Sequence, residues 1–102
     1  METDRQLLEQ VAKVIGIPIA FGGPDADICR RTDTWVLWNP LTDDGDALRL
    51  AARLQINLNW RTNINGTFVY ANHEPEEVLQ DSDLATRRAI VRAACNYKTI
   101  YT

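Results

Sequence analysis

Three carboxylates come nearest to a spacing that could support chemistry. Asp43, Asp44 and Asp46 lie within four positions of one another, and hard cations such as Mg²⁺ or Ca²⁺ bind several such oxygens. Their spacing does not fit a calcium-binding EF-hand loop, and acidic residues are favoured at the positive end of a helix dipole. We therefore expect these residues to begin a helix, and we keep a metal-dependent enzyme as a third functional alternative.

The sequence contains one histidine, His73, which stands beside Glu74. General acid–base catalysis would need a positioned partner and a reacting group within hydrogen-bond reach of that imidazole. The sequence has no nucleophile elbow, Walker-type loop, HExxH or CxxC motif. We predict that the protein is not an enzyme, with no catalytic residues, no metal and no cofactor.

The composition indicates one globular domain. The chain has 102 residues and a formal net charge of −3, whereas a self-sufficient nucleic-acid-binding protein usually carries positive charge to neutralise phosphates. The sequence lacks an apolar run near the roughly 20 residues that span a bilayer, and its first residues do not resemble a secretory signal. Cys29 and Cys95 are too few for a disulfide framework. We expect one domain over residues 1–102, reduced cysteines, no membrane association and no direct DNA binding.

Apolar residues recur at helical spacing in three segments, which predicts helices at about 4–15, 43–54 and 83–97. Each segment follows residues that commonly cap helices. The candidate caps are Thr3 or Asp4, Thr42 or Asp43, and Asp81 or Ser82.

Residues 34–38 are β-branched and aromatic, which predicts a strand that ends at Asn39-Pro40. With the helix at 43–54 and a second strand at 56–61, this segment indicates a right-handed parallel crossover. The acidic residues 73–82 are predicted to connect the sheet to the last helix, with a short helical turn beginning at Pro75.

A β-hairpin at about 56–71 is the strongest local prediction. Alternating residues flank Asn65-Gly66, the pair preferred in a two-residue type I′ turn. This turn places Trp60 opposite Ala71 and Thr62 opposite Val69. One face of the hairpin then carries Leu58, Trp60, Val69 and Ala71, and the other carries Asn57, Asn59, Arg61, Phe68 and Tyr70.

These elements together predict an α+β fold, an α/β sandwich in which a small mixed β-sheet with this hairpin packs against three helices. The polar composition of the second hairpin face leaves two alternatives. Either a helix covers that face and its polar residues lie beyond the helix, or the face is open and the domain has two layers.

The polar hairpin face is the candidate binding surface. Asn57, Asn59 and Arg61 supply hydrogen-bond donors beside the flat rings of Phe68 and Tyr70, a mixture that recognition surfaces favour. An ordinary solvent-exposed face is the alternative. Trp35, Trp38 and Trp60 are expected in the core because they stand in predicted strands with apolar neighbours.

Arginines four residues apart on two helices could form a local site for an anionic ligand. The pairs are Arg49 with Arg53 and Arg88 with Arg92. Solvated helix faces are the alternative interpretation.

Two motifs resemble a known family. The segment 38–51 reads WNPLTDDGDALRLA, and the segment 85–94 reads ATRRAIVRAA. They are similar to the phage ABA sandwich domain family, small phage and prophage proteins in which a WNPxTD turn opens a helix and a final helix carries an RAI…AA pattern. The resemblance covers roughly residues 35–97. It implies a phage or prophage origin, a bacterial cytoplasm and a compact sheet with helices on both faces, and it implies no activity.

The leading functional hypothesis is a non-enzymatic phage accessory protein that binds a host bacterial protein, such as an antiphage defence component, and inhibits it. The alternative is a protein that binds or sequesters a small molecule, for example a nucleotide signal held between subunits of a homodimer or larger oligomer. Arg61, Tyr70 and the arginine pairs motivate this alternative.

Overall fold

The computed structural model describes residues 3–22, 28–79 and 81–97. These residues form three helices and five strands, in agreement with the predicted α+β class. In chain order the elements are α1 (Asp4–Ile15), β1 (Ile19–Gly22), β2 (Ile28–Arg31), α2 (Asp44–Leu54), β3 (Leu58–Asn63), β4 (Gly66–Ala71), β5 (Glu74–Val78) and α3 (Ser82–Cys95). The sequence Gly22-Gly23-Pro24 predicts a turn, but only Gly22 of this segment lies within the described residues.

The three predicted helices are confirmed, and side chains cap each of them as expected. Thr3 forms a capping box with Gln6 at the start of α1, and Gly16 ends that helix with a left-handed φ of 73°. Asp43 caps α2 by accepting the Asp46 N–H, and Asp81 caps α3 by accepting two backbone N–H groups of the first turn. Local sequence therefore determines where these helices begin.

Helix α3 is the centre of the fold, because α1, α2, β4 and β5 all pack against it. Its buried positions are mostly small: Ala85, Ala89, Ala93 and Ala94 are each at most 5% exposed. Small side chains let neighbouring elements approach the helix axis closely. The core therefore surrounds α3 on several sides, as expected for a helix that is apolar over more than one stripe.

All strand pairs among the described residues are antiparallel, so the predicted mixed sheet and its parallel crossover are wrong. The strands form a two-stranded sheet, β1–β2, and a separate three-stranded sheet with the order β3–β4–β5. The predicted strand at 34–38 is absent, because this segment turns back on β2. The Arg31 N–H donates to the Val36 carbonyl over 2.9 Å and the Trp38 N–H donates to the Cys29 carbonyl over 3.0 Å.

The predicted hairpin is present, but its register differs by two residues. Leu58 lies opposite Ala71 and Trp60 opposite Val69, so the two-residue loop is Ile64-Asn65. Ile64 and Asn65 lack the positive φ that a type I′ turn requires. Instead Gly66 opens β4 with a φ of 129°. Because the shift is an even number of residues, both predicted faces keep their members.

The acidic connection is partly a strand, which corrects the predicted helical turn at Pro75. Strand β5 pairs with β4 after a two-residue turn, with Glu76 opposite Val69 and Val78 opposite Thr67. Proline is tolerated in a strand whose outer edge is unpaired, because its missing N–H then leaves no gap in the ladder. Pro75 occupies such a position.

The three-stranded sheet has one covered face and one open face. Val69 and Ala71 point toward α3 and are fully buried. Asn57, Asn59 and Arg61 are exposed, and Phe68 and Tyr70 are partly buried. Around the sheet the described elements therefore form two layers, the second of the two arrangements left open by the sequence. The helices on both faces that the family resemblance implies are not found among the described residues.

Candidate functional site

The open face of the sheet brings the predicted binding residues together. Asn59 lies opposite Tyr70 and Arg61 lies opposite Phe68. Asn57 precedes β3 and extends the ladder, because its backbone N–H donates to Asn72 Oδ1 over 3.0 Å and its carbonyl accepts the Asn72 N–H over 2.7 Å. The five residues therefore lie side by side, three along β3 and the position just before it and two along β4.

Arg61 lies over an aromatic ring on this face. The guanidinium carbon is 5.2 Å from the centroid of the Tyr70 ring, a cation–π geometry. Among the side chains that the structure describes, which exclude that of Glu74, no carboxylate lies within ion-pair distance of Arg61. Because Arg61 is exposed and Tyr70 is partly buried, the pair presents to solvent a cation that lies over an aromatic ring.

A second exposed surface was not predicted from the sequence. We call it the apolar hook, and it consists of Trp35, Val36 and Leu37. These side chains are 71%, 57% and 58% exposed. Trp38 is buried as predicted, whereas the expectation that Trp35 and Trp60 lie in the core is wrong, since Trp60 is 52% exposed.

The apolar hook is held by a hydrogen-bonded turn. The Trp35 N–H donates to the Arg31 carbonyl over 2.9 Å, and the Arg31 guanidinium binds both carboxylate oxygens of Asp33, at 2.7 and 3.0 Å. Those bonds lower the pKa of Asp33. The turn places Trp35 at a φ of 59°, in the left-handed region that bulky residues rarely adopt. The sequence feature that could have indicated an exposed turn here is the apolar run 35–38, which does not alternate with polar residues as a half-buried strand does.

The arginine pairs do not form a free basic stripe. Arg88 and Arg92 lie 3.9 and 3.5 Å from the two oxygens of Glu76. Arg49 pairs with Asp46 at 2.6 Å, and Arg53 donates to the carbonyl of Ile15 over 2.7 Å. These cations are engaged within the fold, although Arg49 and Arg53 also line a groove of about 400 Å³ beside the apolar hook.

The three clustered aspartates have separate structural partners. Asp43 caps α2 by accepting the Asp46 N–H over 2.8 Å, as predicted. Asp44 pairs with Arg87 at 2.6 Å, and Asp46 accepts the Asn39 N–H over 2.9 Å. In the described part of the chain, no group of three or more potential metal-ligating side chains occurs. His73 lies exposed in the turn between β4 and β5.

Both cysteines of the described chain are buried, and neither forms a disulfide. Burial, with a smaller contribution from the charge of Asp46, raises the pKa of Cys29 from its ordinary 9.0 to about 11. A buried thiol with a raised pKa is a weak nucleophile. The structure therefore places no reactive thiol at Cys29.

Native Cys29 is expected to resist modification. In a Cys95→Ala variant at pH 8, the thiol should react with a disulfide reagent about 100-fold more slowly in native than in urea-unfolded protein, because its thiolate fraction is smaller. Since the unfolded thiol ionises near pH 9.0 and the native one near 11, the contribution of this thiol to stability is also expected to fall as the pH rises between those values. Equal labelling rates in the two states would contradict the assignment.

None of the described helices is long and apolar enough to cross a bilayer. Comparison of the chain with protein-family models, curated proteins and solved structures found no match.

Proposed function

We propose that this chain is a non-enzymatic binding protein that recognises another protein through the apolar hook. The proposal rests mainly on one observation: three consecutive large apolar side chains are exposed on a turn that backbone hydrogen bonds hold in place. Contiguous exposed apolar residues are typical of protein interaction sites. Tryptophan in particular is enriched among the residues that dominate binding energy.

The backbone at Trp35 supports this proposal. A bulky residue in the left-handed region is destabilising by on the order of 1–2 kcal/mol. Because the indole of Trp35 is exposed, its burial within the chain offsets little of this cost. A glycine at this position would relieve the strain. Contact of the ring with a partner would explain why a tryptophan occupies this strained and exposed position.

The proposal extends to the identity of the partner. The resemblance to the phage ABA sandwich domain favours a phage or prophage accessory protein in a bacterial cytoplasm, with a host protein such as an antiphage defence component as its target. The net charge of −3 favours association with a basic surface, including one that normally holds nucleic acid. Occupation of such a surface would inhibit the target.

The test is crosslinked affinity capture from the bacterial host with quantitative mass spectrometry. We expect a host protein enriched by the wild-type chain, and we expect Trp35→Gly to lower its affinity at least about tenfold, as for loss of a hot-spot aromatic residue. Ile64→Ser is the matched control, because Ile64 is a fully exposed apolar residue at a different turn. Absence of any enriched protein, or equal capture by Trp35→Gly, would contradict the proposal.

A second candidate function rests on the Arg61–Tyr70 pair. A guanidinium over an aromatic ring can hold a planar anionic ligand such as a nucleotide, and no described carboxylate competes for Arg61. We therefore retain sequestration of a nucleotide signal as the alternative, with the open sheet face as its site.

The double substitution Arg61→Ala with Tyr70→Ala tests this alternative. A nucleotide present at 100 times its Kd is expected to stabilise the wild type by about 2.7 kcal/mol, and the double variant is expected to lose that shift. The unliganded variant should unfold near the wild-type temperature, since Arg61 is exposed and Tyr70 only partly buried. Thermal-shift and calorimetric screens that are flat for the wild type would eliminate the alternative.

A further inference from the structure

The two edges of the three-stranded sheet differ in their hydrogen-bonding capacity. In an antiparallel pair, successive residues direct their N–H and C=O groups alternately toward the partner strand and away from it. The bond from the Asn72 N–H to the Asn57 carbonyl sets this alternation for β3. Asn59, Arg61 and Asn63 therefore face β4, and the backbone groups of Leu58, Trp60 and Thr62 face outward.

The outer edge of β5 is blocked against the addition of another strand, whereas the outer edge of β3 is not. The pairing of β5 with β4 places Pro75 and Glu77 as its outward residues, and Pro75 has no N–H to donate. Proline and charged residues are common devices that prevent strands from adding to a sheet edge. Strand β3 carries no proline, and among the described residues no strand pairs with its outer side.

The outward groups of β3 are compatible with a second copy of β3 in one antiparallel register. All of them pair only if Trp60 lies opposite Trp60 of the second copy and Leu58 lies opposite Thr62. A shift by two residues in either direction leaves outward groups of Leu58 or Thr62 without partners. The requirement to satisfy backbone groups therefore selects the register.

The side chains are self-complementary in this register. On the open face, Arg61 lies opposite Asn59 of the second copy, whose amide oxygen can accept from the guanidinium, and no two arginines lie directly opposite. On the helix side, the two Trp60 rings form a cross-strand aromatic pair. In a single copy Trp60 is 52% exposed, held by a 3.3 Å hydrogen bond from its indole N–H to Thr86 Oγ1.

We propose that two copies of this chain pair along β3 in this register. The resulting antiparallel sheet is continuous and twice as wide, with both outer edges formed by the proline-containing β5 strands. Both Trp60 rings become buried between the copies. The two Arg61–Tyr70 pairs then lie on one continuous open face, on either side of the two-fold axis.

Sedimentation velocity between about 1 µM and 1 mM protein tests the proposal. The wild type is expected to sediment as a dimer at the upper end of this range. Thr62→Pro removes an outward N–H and no backbone bond to β4, and is expected to abolish the dimer. It also removes the 3.1 Å hydrogen bond between Thr62 Oγ1 and Thr67 Oγ1 of β4. Glu77→Pro is the matched control, since it alters the outward edge of β5 and is expected to leave the dimer intact.

Two further variants keep the test decisive if Thr62→Pro does not fold. Trp60→Lys places like charges opposite each other across the two-fold axis and is expected to give a monomer. Asn59→Asp places a carboxylate opposite Arg61 of the second copy, and is expected to tighten the dimer several-fold. A wild type that is monomeric at every concentration, or a dimer that Trp60→Lys leaves unchanged, would overturn the proposal.

Discussion

Replacement of Trp38 by alanine is expected to lower the free energy of unfolding by about 3–5 kcal/mol. The indole is 7% exposed and belongs to the buried cluster that includes Leu41 and Leu50. Its removal loses the transfer free energy of a large side chain and leaves a cavity. Urea denaturation followed by circular dichroism measures the change, which is a large fraction of the 5–15 kcal/mol typical of a single domain.

The matched control for this substitution is Trp35→Ala, three positions earlier. Trp35 is 71% exposed, so its truncation is expected to change the free energy of unfolding by no more than about 1 kcal/mol. Similar losses in the two variants would contradict the distinction between a core tryptophan and an exposed one.

Replacement of Asp46 by alanine is expected to destabilise the protein by about 2–3 kcal/mol, because it leaves the partly buried Asn39 N–H without its charged acceptor. The same carboxylate accepts from Arg49 over 2.6 Å and lies in the first turn of α2, where negative charge is favoured. Asp46→Asn keeps an acceptor oxygen and is expected to recover part of the loss. Urea denaturation of both variants measures the difference.

Asp44→Ala controls for the general effect of removing an aspartate from this turn. Asp44 is largely exposed in its pair with Arg87, and such a pair contributes at most about 1 kcal/mol. Equal losses for Asp44→Ala and Asp46→Ala would show that helix charge, and not the bond to Asn39, determines stability here.

The contacts of Trp38 and Asp46 indicate what the WNPLTD segment, residues 38–43, does in the fold. Trp38, Pro40 and Leu41 are buried, and Asn39 Oδ1 accepts the Leu41 N–H over 2.9 Å. Arg87 of α3 donates to the Leu41 carbonyl over 2.8 Å. The segment thus joins the start of α2 to α3, which supports a role in folding over a role in binding.

For the candidate site, the sequence predicted which residues lie together on the open face of the sheet. Side chains alternate along a strand, so Asn59 shares a face with Arg61, and Phe68 shares a face with Tyr70. The predicted hairpin placed the two pairs on the same face, and they stay there because the observed register differs by an even number of residues. The register itself depended on the φ angles of the turn, which the Asn65-Gly66 pair did not determine. The contact of Arg61 with Tyr70 followed only from the three-dimensional pairing.

The apolar hook could not be predicted, because composition does not distinguish a buried strand from an exposed turn. Residues 34–38 have the composition of a strand. The bonds from Arg31 to Val36 and from Trp35 to Arg31 close a tight turn instead, and they expose Trp35 while burying Trp38. Strand preference depends mainly on what packs against the segment, and that is a tertiary property.

The sequence alone determined the three helices with their caps, the hairpin with its two faces and the α+β class, because each depends on neighbours within a few positions. Three other features required the tertiary structure: every described strand pairs antiparallel, residues 74–78 form the last strand and one sheet face stays open. The exposure of Trp35 and Trp60 also required it. These features depend on contacts between distant segments, above all on α3, whose small residues allow four other elements to pack around it.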